Sequence, residues 1–282
     1  MKTTWKCAAG AGILLAALGA GGMADAMEVV PGRIDIANRE YSRRFGNEEM
    51  AVARTDPELA EMMKNFTYGT VTAQAKLGDT ERELVRLAAL ATLGNDSLFR
   101  QEVKGALAIG VRPIEIREAM YQLAPYIGFP KVLDAVDRMN AVFAAEGITL
   151  PLPAAGTVTE ETRYDKGLDV QVGIYGDYIR NARGNAAPDA VHVRDDLSDF
   201  CFGDIYTRKV LDVQMREMLT LTALAVMGGA EPQLKGHIQG NLAVGTSREK
   251  IISVITECIS YMGFPRTLNA IRAVDEVVPY GK

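Results

Sequence analysis

The sequence predicts an all-α protein built from two copies of one helical unit, and three observations carry that reading. Residues 82–94, RELVRLAALATLG, match residues 216–228, REMLTLTALAVMG, at seven of thirteen positions without a gap. One inserted residue later the register holds again. Gly105-Ala-Leu-Ala-Ile-Gly110 lies over Gly240-Asn-Leu-Ala-Val-Gly245, and Tyr126-Ile-Gly-Phe-Pro130 over Tyr261-Met-Gly-Phe-Pro265. Apolar residues recur at helical spacing within each copy, and β-branched residues never alternate over a convincing strand. Between the copies, Leu150-Pro-Leu-Pro-Ala-Ala-Gly156 has the Pro and Gly content of a linker.

Each element has a local cause. Thr80 with Glu83 three residues on reads as a capping box, and Leu84, Leu87, Leu90 and Ala91 then mark one face of a helix that Gly94 ends. A second helix is expected over residues 98–109, stopping at Gly110. A third opens near Pro113 with acidic residues in its first turn. Gly128 and Pro130 break the chain before a further helix over residues 133–145. The expected units are residues 27–150 and 157–282, joined by 151–156 and packed about a pseudo-twofold axis.

The amino terminus has its own logic. Lys2 and Lys6 precede an apolar run from Cys7 to Ala20, and Ala24-Asp25-Ala26 places small residues where a signal peptidase reads. Residues 1–26 are therefore expected to be a secretory signal, with a periplasmic or secreted product. The run is too short and too poor in large side chains to span a bilayer well. A net charge of −5 without basic runs argues against nucleic acid as a partner, and no later segment suits a membrane. Past residue 26 only Cys201 and Cys258 remain, too few for a disulfide framework, and the sequence does not say whether they pair.

The run R-E-x-x-x-L-x-A-L-A-x-x-G, a polar position eight residues before the Gly ending the next helix, and Y-x-G-F-P together resemble the carboxymuconolactone decarboxylase family. That family includes the AhpD-type alkylhydroperoxidases. Phe202-Gly-Asp-Ile-Tyr-Thr-Arg208 with Leu211-Asp212 resembles the stretch ahead of the R-E helix. The resemblance covers both copies and implies an AhpD-like helical bundle. By analogy with single-unit relatives that form trimers of dimers, it also implies a homo-oligomer, a trimer of fused pairs.

Members commonly carry a His on the second helix of the unit. Copy two keeps His237 there, whereas copy one has Glu102. Imidazole exchanges a proton near neutral pH, so His237 is a candidate catalytic residue, the alternative being a His that fills an inter-helix contact. Members also place a Glu near that His at the position of Glu217, whose carboxylate can fix the tautomer, the alternative being a salt bridge between packed helices. For the matching Arg82 and Glu83 of copy one, a salt bridge between packed helices is preferred. Arg208 and Arg216 can grip a substrate carboxylate through paired hydrogen bonds or serve as structural ion pairs. His192, in a polar stretch, reads as a surface residue.

The AhpD-type reaction needs a Cys-x-x-Cys pair before the His. The corresponding positions hold Ala230 and Gln233 in copy two, and Asn95 and Leu98 in copy one. Cys258 reads as core and Cys201 as packing. The expectation is an exported, cofactor-free and metal-free enzyme that decarboxylates or transfers a proton on a small acidic, lactone-type molecule. The alternatives are a peroxiredoxin-like alkylhydroperoxidase and a non-catalytic binding protein.

Overall fold

A computed structural model describes residues 32–281. The expected signal segment lies outside the described residues. Within them the chain is helical, with no strand.

Copy one begins with α1 (Arg33–Phe45). After it, α2 (Pro57–Lys64) opens on Pro57, whose missing N–H costs nothing at that position, and widens into a π-helical turn over Asn65–Val71. Next come α3 (Asp79–Leu93), α4 (Asp96–Ala108), α5 (Pro113–Gln122) and α6 (Phe129–Ala145). Copy two follows the same plan. It has α7 (Arg163–Tyr175), short α8 (Tyr178–Gly184), α9 (Val191–Asp196) with a second π-helical segment over Leu197–Tyr206, α10 (Val213–Met227), α11 (Glu231–Ala243) and α12 (Arg248–Val277). Gly128 and Gly263, with φ of 79° and 75°, make the same break in the two copies, one before α6 and one within α12. Both adopt the positive φ that favours Gly.

Two sequence expectations change. The cap of α3 is Gly78 with Glu81, whose carboxylate accepts from the Gly78 N–H at 3.0 Å. Thr80 and Glu83 are not the capping pair, because the helix starts two residues earlier and Glu83 turns inward onto Arg44. The helix after it likewise begins at Asp96, with Asn95 accepting from the Leu98 N–H at 3.1 Å.

The apolar stripe read on α3 is only part of its surface. Every residue from Arg82 to Thr92 is buried, as is every residue from Arg216 to Val226 on α10. A helix enclosed on all sides sits at the centre of a fold. Here α3 and α10 pack on one another and each contributes to both cores. Leu219 and Ala223 join the cluster around Leu84, Leu87 and Met120, while Val85 and Ala89 join that around Leu221, Val254 and Ile255.

A second correspondence links the copies outside the matched motifs. Gly69 on the first π-helical turn lies against the Arg33 carbonyl, and Gly203 on the second lies against the Arg163 carbonyl. Helix α1 therefore corresponds to α7, and the end of each points at the following pair of central helices. No helix of the described residues is long and apolar enough to cross a membrane.

Candidate active site

Helix α11 presents His237 toward α10 and α7. Its Nδ1 lies 2.8 Å from Glu217 Oε2 and 2.8 Å from the Tyr175 hydroxyl. Tyr175 donates to both carboxylate oxygens of Glu217, at 3.1 and 3.2 Å, and Tyr206 donates to Oε1 at 2.7 Å. Glu217 is fully enclosed, whereas the His237 side chain keeps 14% of its surface. Because the carboxylate holds Nδ1, Nε2 is the ring nitrogen left for an incoming molecule.

Three tyrosines surround this pair. Tyr126, from copy one, stands edge-on to the His237 ring with centroids 5.5 Å apart. Its hydroxyl lies 3.2 Å from that of Tyr206 and 3.5 Å from Cys201 Sγ. Burial, reinforced by the charge of Glu217, pushes the hydroxyls of Tyr175 and Tyr206 above their ordinary range, so both remain hydrogen-bond donors. The site thus draws residues from both copies. A single unit cut from the chain would lack one of them.

Close approach of α11 is set by Gly240. A Cβ there would stand 2.7 Å from Glu217 Oε2 and 2.9 Å from the Tyr175 hydroxyl. Gly240→Ala is therefore expected to displace the polar groups themselves. Turnover should fall at least tenfold with any responsive substrate, while far-ultraviolet circular dichroism stays unchanged. Equal turnover in the two proteins would show that the Glu217–Tyr175 geometry is not needed.

His237 and Glu217, paired in the sequence reading, do meet. Arg216 and Arg208 do not join them. Arg216 has no exposed surface; its Nη1 donates to Gln122 Oε1 at 2.9 Å and its Nη2 to the Arg208 carbonyl at 2.9 Å. Burial lowers its pKa to about 10. Arg208 donates to both oxygens of Glu118, at 2.8 and 3.0 Å, and lies over the Tyr121 ring. For the enclosed Arg216 the geometry favours the structural role; Arg208 is held by Glu118 in a structural ion pair but keeps part of its surface exposed, so both of its roles stay open.

Tyr175, Tyr206 and Tyr126 were missed as site residues. Tyr126 lies in the Y-x-G-F-P motif, which the sequence offers as a mark of the repeat, of the chain break and of the family but not as a site. Tyr175 is recoverable by aligning Arg163 with Arg33, the carbonyls that Gly203 and Gly69 approach, which puts Tyr175 where copy one has Phe45.

Cys201 and Cys258 are both free and buried, and burial pushes the Cys201 thiol up to about 12. His192 is exposed on α9. Arg82 and Glu83 of copy one do form ion pairs between helices, Arg82 with Glu257 and Glu83 with Arg44. Among the described residues no group of three or more His, Cys, Asp or Glu is placed to hold a metal ion.

Comparison with known proteins gives this geometry a context. The chain is 24% identical over 121 residues to the 4-carboxymuconolactone decarboxylase of Acinetobacter baylyi, covering 43% of this chain and 90% of that protein. It is 25% identical over 124 residues to the nitrosuccinic acid decarboxylase of Metarhizium robertsii, covering 42% and 86% respectively. A crystal structure from Burkholderia xenovorans, described as a candidate gamma-carboxymuconolactone decarboxylase subunit, aligns over 86% of this chain and 96% of its own, with a TM-score of 0.49 and 21% identity. The model of the carboxymuconolactone decarboxylase family matches twice, over residues 57–141 and 192–276. With both matches together covering more than half of its length, the chain belongs to the carboxymuconolactone decarboxylase family and carries two family units in tandem.

Proposed function

We propose that copy two is the active centre of a cofactor-free enzyme that decarboxylates, or moves a proton on, a small acidic lactone-type molecule. The observation that carries this reading is the arrangement of His237, whose Nδ1 is held by Glu217 and Tyr175 while Nε2 remains available. Two relatives named as decarboxylases support the reaction class.

The chemistry asks little more of the protein. Loss of carbon dioxide breaks a carbon–carbon bond and leaves the electron pair spread over the adjoining unsaturated system. A proton from His237 Nε2 then reaches carbon, and water restores it. Glu217 stabilises the imidazolium before transfer and fixes the tautomer after it. Tyr175 and Tyr206 hold Glu217 in position. The enclosing aromatic rings of Tyr126, Tyr175 and Phe202 exclude water, which strengthens each charge interaction.

The test incubates the purified protein with carboxymuconolactone and related lactone acids while ultraviolet absorbance is followed, beside His237→Ala. Turnover by the parent protein alone is expected. Inactivity of both proteins on every acid offered would overturn the decarboxylase reading for those substrates. A hydroperoxide with a dithiol reductant probes the alkylhydroperoxidase alternative in the same series, which the buried thiols of Cys201 and Cys258 do not favour.

We place the enzyme outside the cytoplasm on the strength of the Lys2–Ala26 segment. As the assembly we propose a homotrimer. Phe129 and Leu133 of copy one and the corresponding Phe264 and Leu268 of copy two stand exposed, and mutual burial would remove them from water.

A further inference from the structure

Copy one holds the counterpart of the active centre with its charges rearranged. Glu102 stands where copy two has His237, and Glu83 where it has Glu217. Arg86 occupies the place of Thr220, and Tyr261 comes across from copy two as Tyr126 crosses the other way. Tyr68 donates to Glu102 Oε1 at 2.5 Å. Arg44 holds Glu83 Oε1 from Nε and Nη2, at 2.9 and 2.7 Å, and Arg86 Nε holds Glu257 at 2.6 Å. These side chains are buried except for the two crossing tyrosines, which are half-buried, the Tyr261 hydroxyl itself being enclosed.

Four polar atoms in this cluster are enclosed without a protein hydrogen-bond partner: Glu83 Oε2, Arg86 Nη1, Glu102 Oε2 and the Tyr261 hydroxyl. Arg86 Nη1 lies 3.9 Å from Glu102 Oε2 and 3.5 Å from Oε1, the other carboxylate oxygen of Glu83, and the charges of Glu102, Arg86 and Glu83 all act on the Tyr261 hydroxyl. Buried groups of this kind are paired in native proteins, and the partner must be small and able both to donate and to accept. The charge count adds a second constraint. Counting the buried groups alone, Arg44, Arg82 and Arg86 face Glu40, Glu83 and Glu257, and Glu40 is shared with the exposed Arg39 and Arg43, so an ionised Glu102 would be a fourth enclosed carboxylate beside three enclosed guanidiniums.

We propose that these four atoms form a binding site for one internal water molecule, closed by Glu102 in its protonated form. The water accepts from Arg86 Nη1 and from the Glu102 carboxyl, and it donates to Glu83 Oε2 and the Tyr261 oxygen. Copy one is then a neutral, hydrated joint between the copies, because Glu257 and Tyr261 belong to copy two while the rest belong to copy one. The joint is independent of the chemistry proposed for copy two.

Burial raises the Glu102 carboxyl to about 7, against an ordinary value of 4.5. The groups that act on it are Tyr41 and Arg44 on α1, Tyr68 on the π-helical turn, Glu83 and Arg86 on α3, and Tyr261 on α12, with Glu40, Arg82 and Glu257 one ion pair further out. With the folded value above the unfolded one, the contribution of Glu102 to stability is complete below about pH 4.5. It declines as pH rises and is lost through about pH 7.

Two measurements on the full chain test the proposal. Near-atomic-resolution diffraction should show one water within hydrogen-bond distance of the four atoms, and unequal carbon–oxygen bonds in Glu102. Direct pairing among the four atoms, or equal bonds, would overturn it. Denaturant unfolding of the parent protein and Glu102→Gln should give folding constants whose ratio shifts by about a hundredfold between pH 4.5 and pH 7.5, the parent losing more. Parallel pH profiles would also overturn it. If Glu102→Gln does not fold, the diffraction result decides.

Discussion

His237→Ala is expected to lower turnover of a responsive lactone acid by about a hundredfold to ten-thousandfold, the range that a positioned proton donor supplies. Folding should survive the change. The His237 ring is partly exposed, and Glu217 keeps hydrogen bonds from Tyr175 and Tyr206 when it is removed. Glu217→Gln should act more gently on the proton itself and more strongly on position. The amide still accepts from the tyrosines but can offer Nδ1 an N–H instead of a carboxylate oxygen, favouring the opposite tautomer. The two variants should therefore share a fall in kcat with little change in KM, measured by steady-state absorbance. Full turnover in His237→Ala would remove the imidazole from the reaction.

The largest expected effect on stability lies at Glu118. This residue is enclosed on α5 and accepts from Arg117 Nε and Nη2, at 3.2 and 2.9 Å, and from Arg208 Nε and Nη2, with Arg216 Nη2 at 3.7 Å. Burial alone would raise its carboxyl, but the hydrogen bonds and charges of Arg208 and Arg117 outweigh that and hold it below the usual range. Its contribution is therefore present above the unfolded value of 4.5 and is lost as pH falls through the lower folded value. Glu118→Ala would leave the enclosed Arg216 without a counter-ion and the half-buried Arg208 without its partner. The expected cost is about 3–5 kcal/mol, read from the midpoint of denaturant unfolding. Because Arg208 belongs to copy two and Glu118 to copy one, the loss should also weaken cohesion between them. A change under about 1 kcal/mol would mean that these charges find other partners.

Much of the fold was legible in the sequence because duplication writes the same signals twice. The R-E helix, the Gly at its end and the break before Phe-Pro each recur in register, and each has a local physical cause. The cap of α3 was misread for a reason that also affects the site. Glu83 satisfies the spacing of a capping box, but a carboxylate able to reach an enclosed guanidinium such as Arg44 is held there instead. Local spacing cannot reveal that competitor. The same limit applies to Arg216 and Arg208, whose partners Gln122 and Glu118 lie about ninety residues away in sequence. The match of His237 to a family position, in contrast, needed only one helix and one offset.

The crossing of Tyr126 and Tyr261 carries a consequence for how such a protein can change. Where two identical units form reciprocal sites, any inherited substitution appears in both at once, and neither can be altered without altering the other. Joining the units in one chain releases that symmetry. Tyr126 can be tuned to imidazole while Tyr261 is tuned to a carboxyl, and a gene carrying both units can specialise one half while the other half preserves the framework.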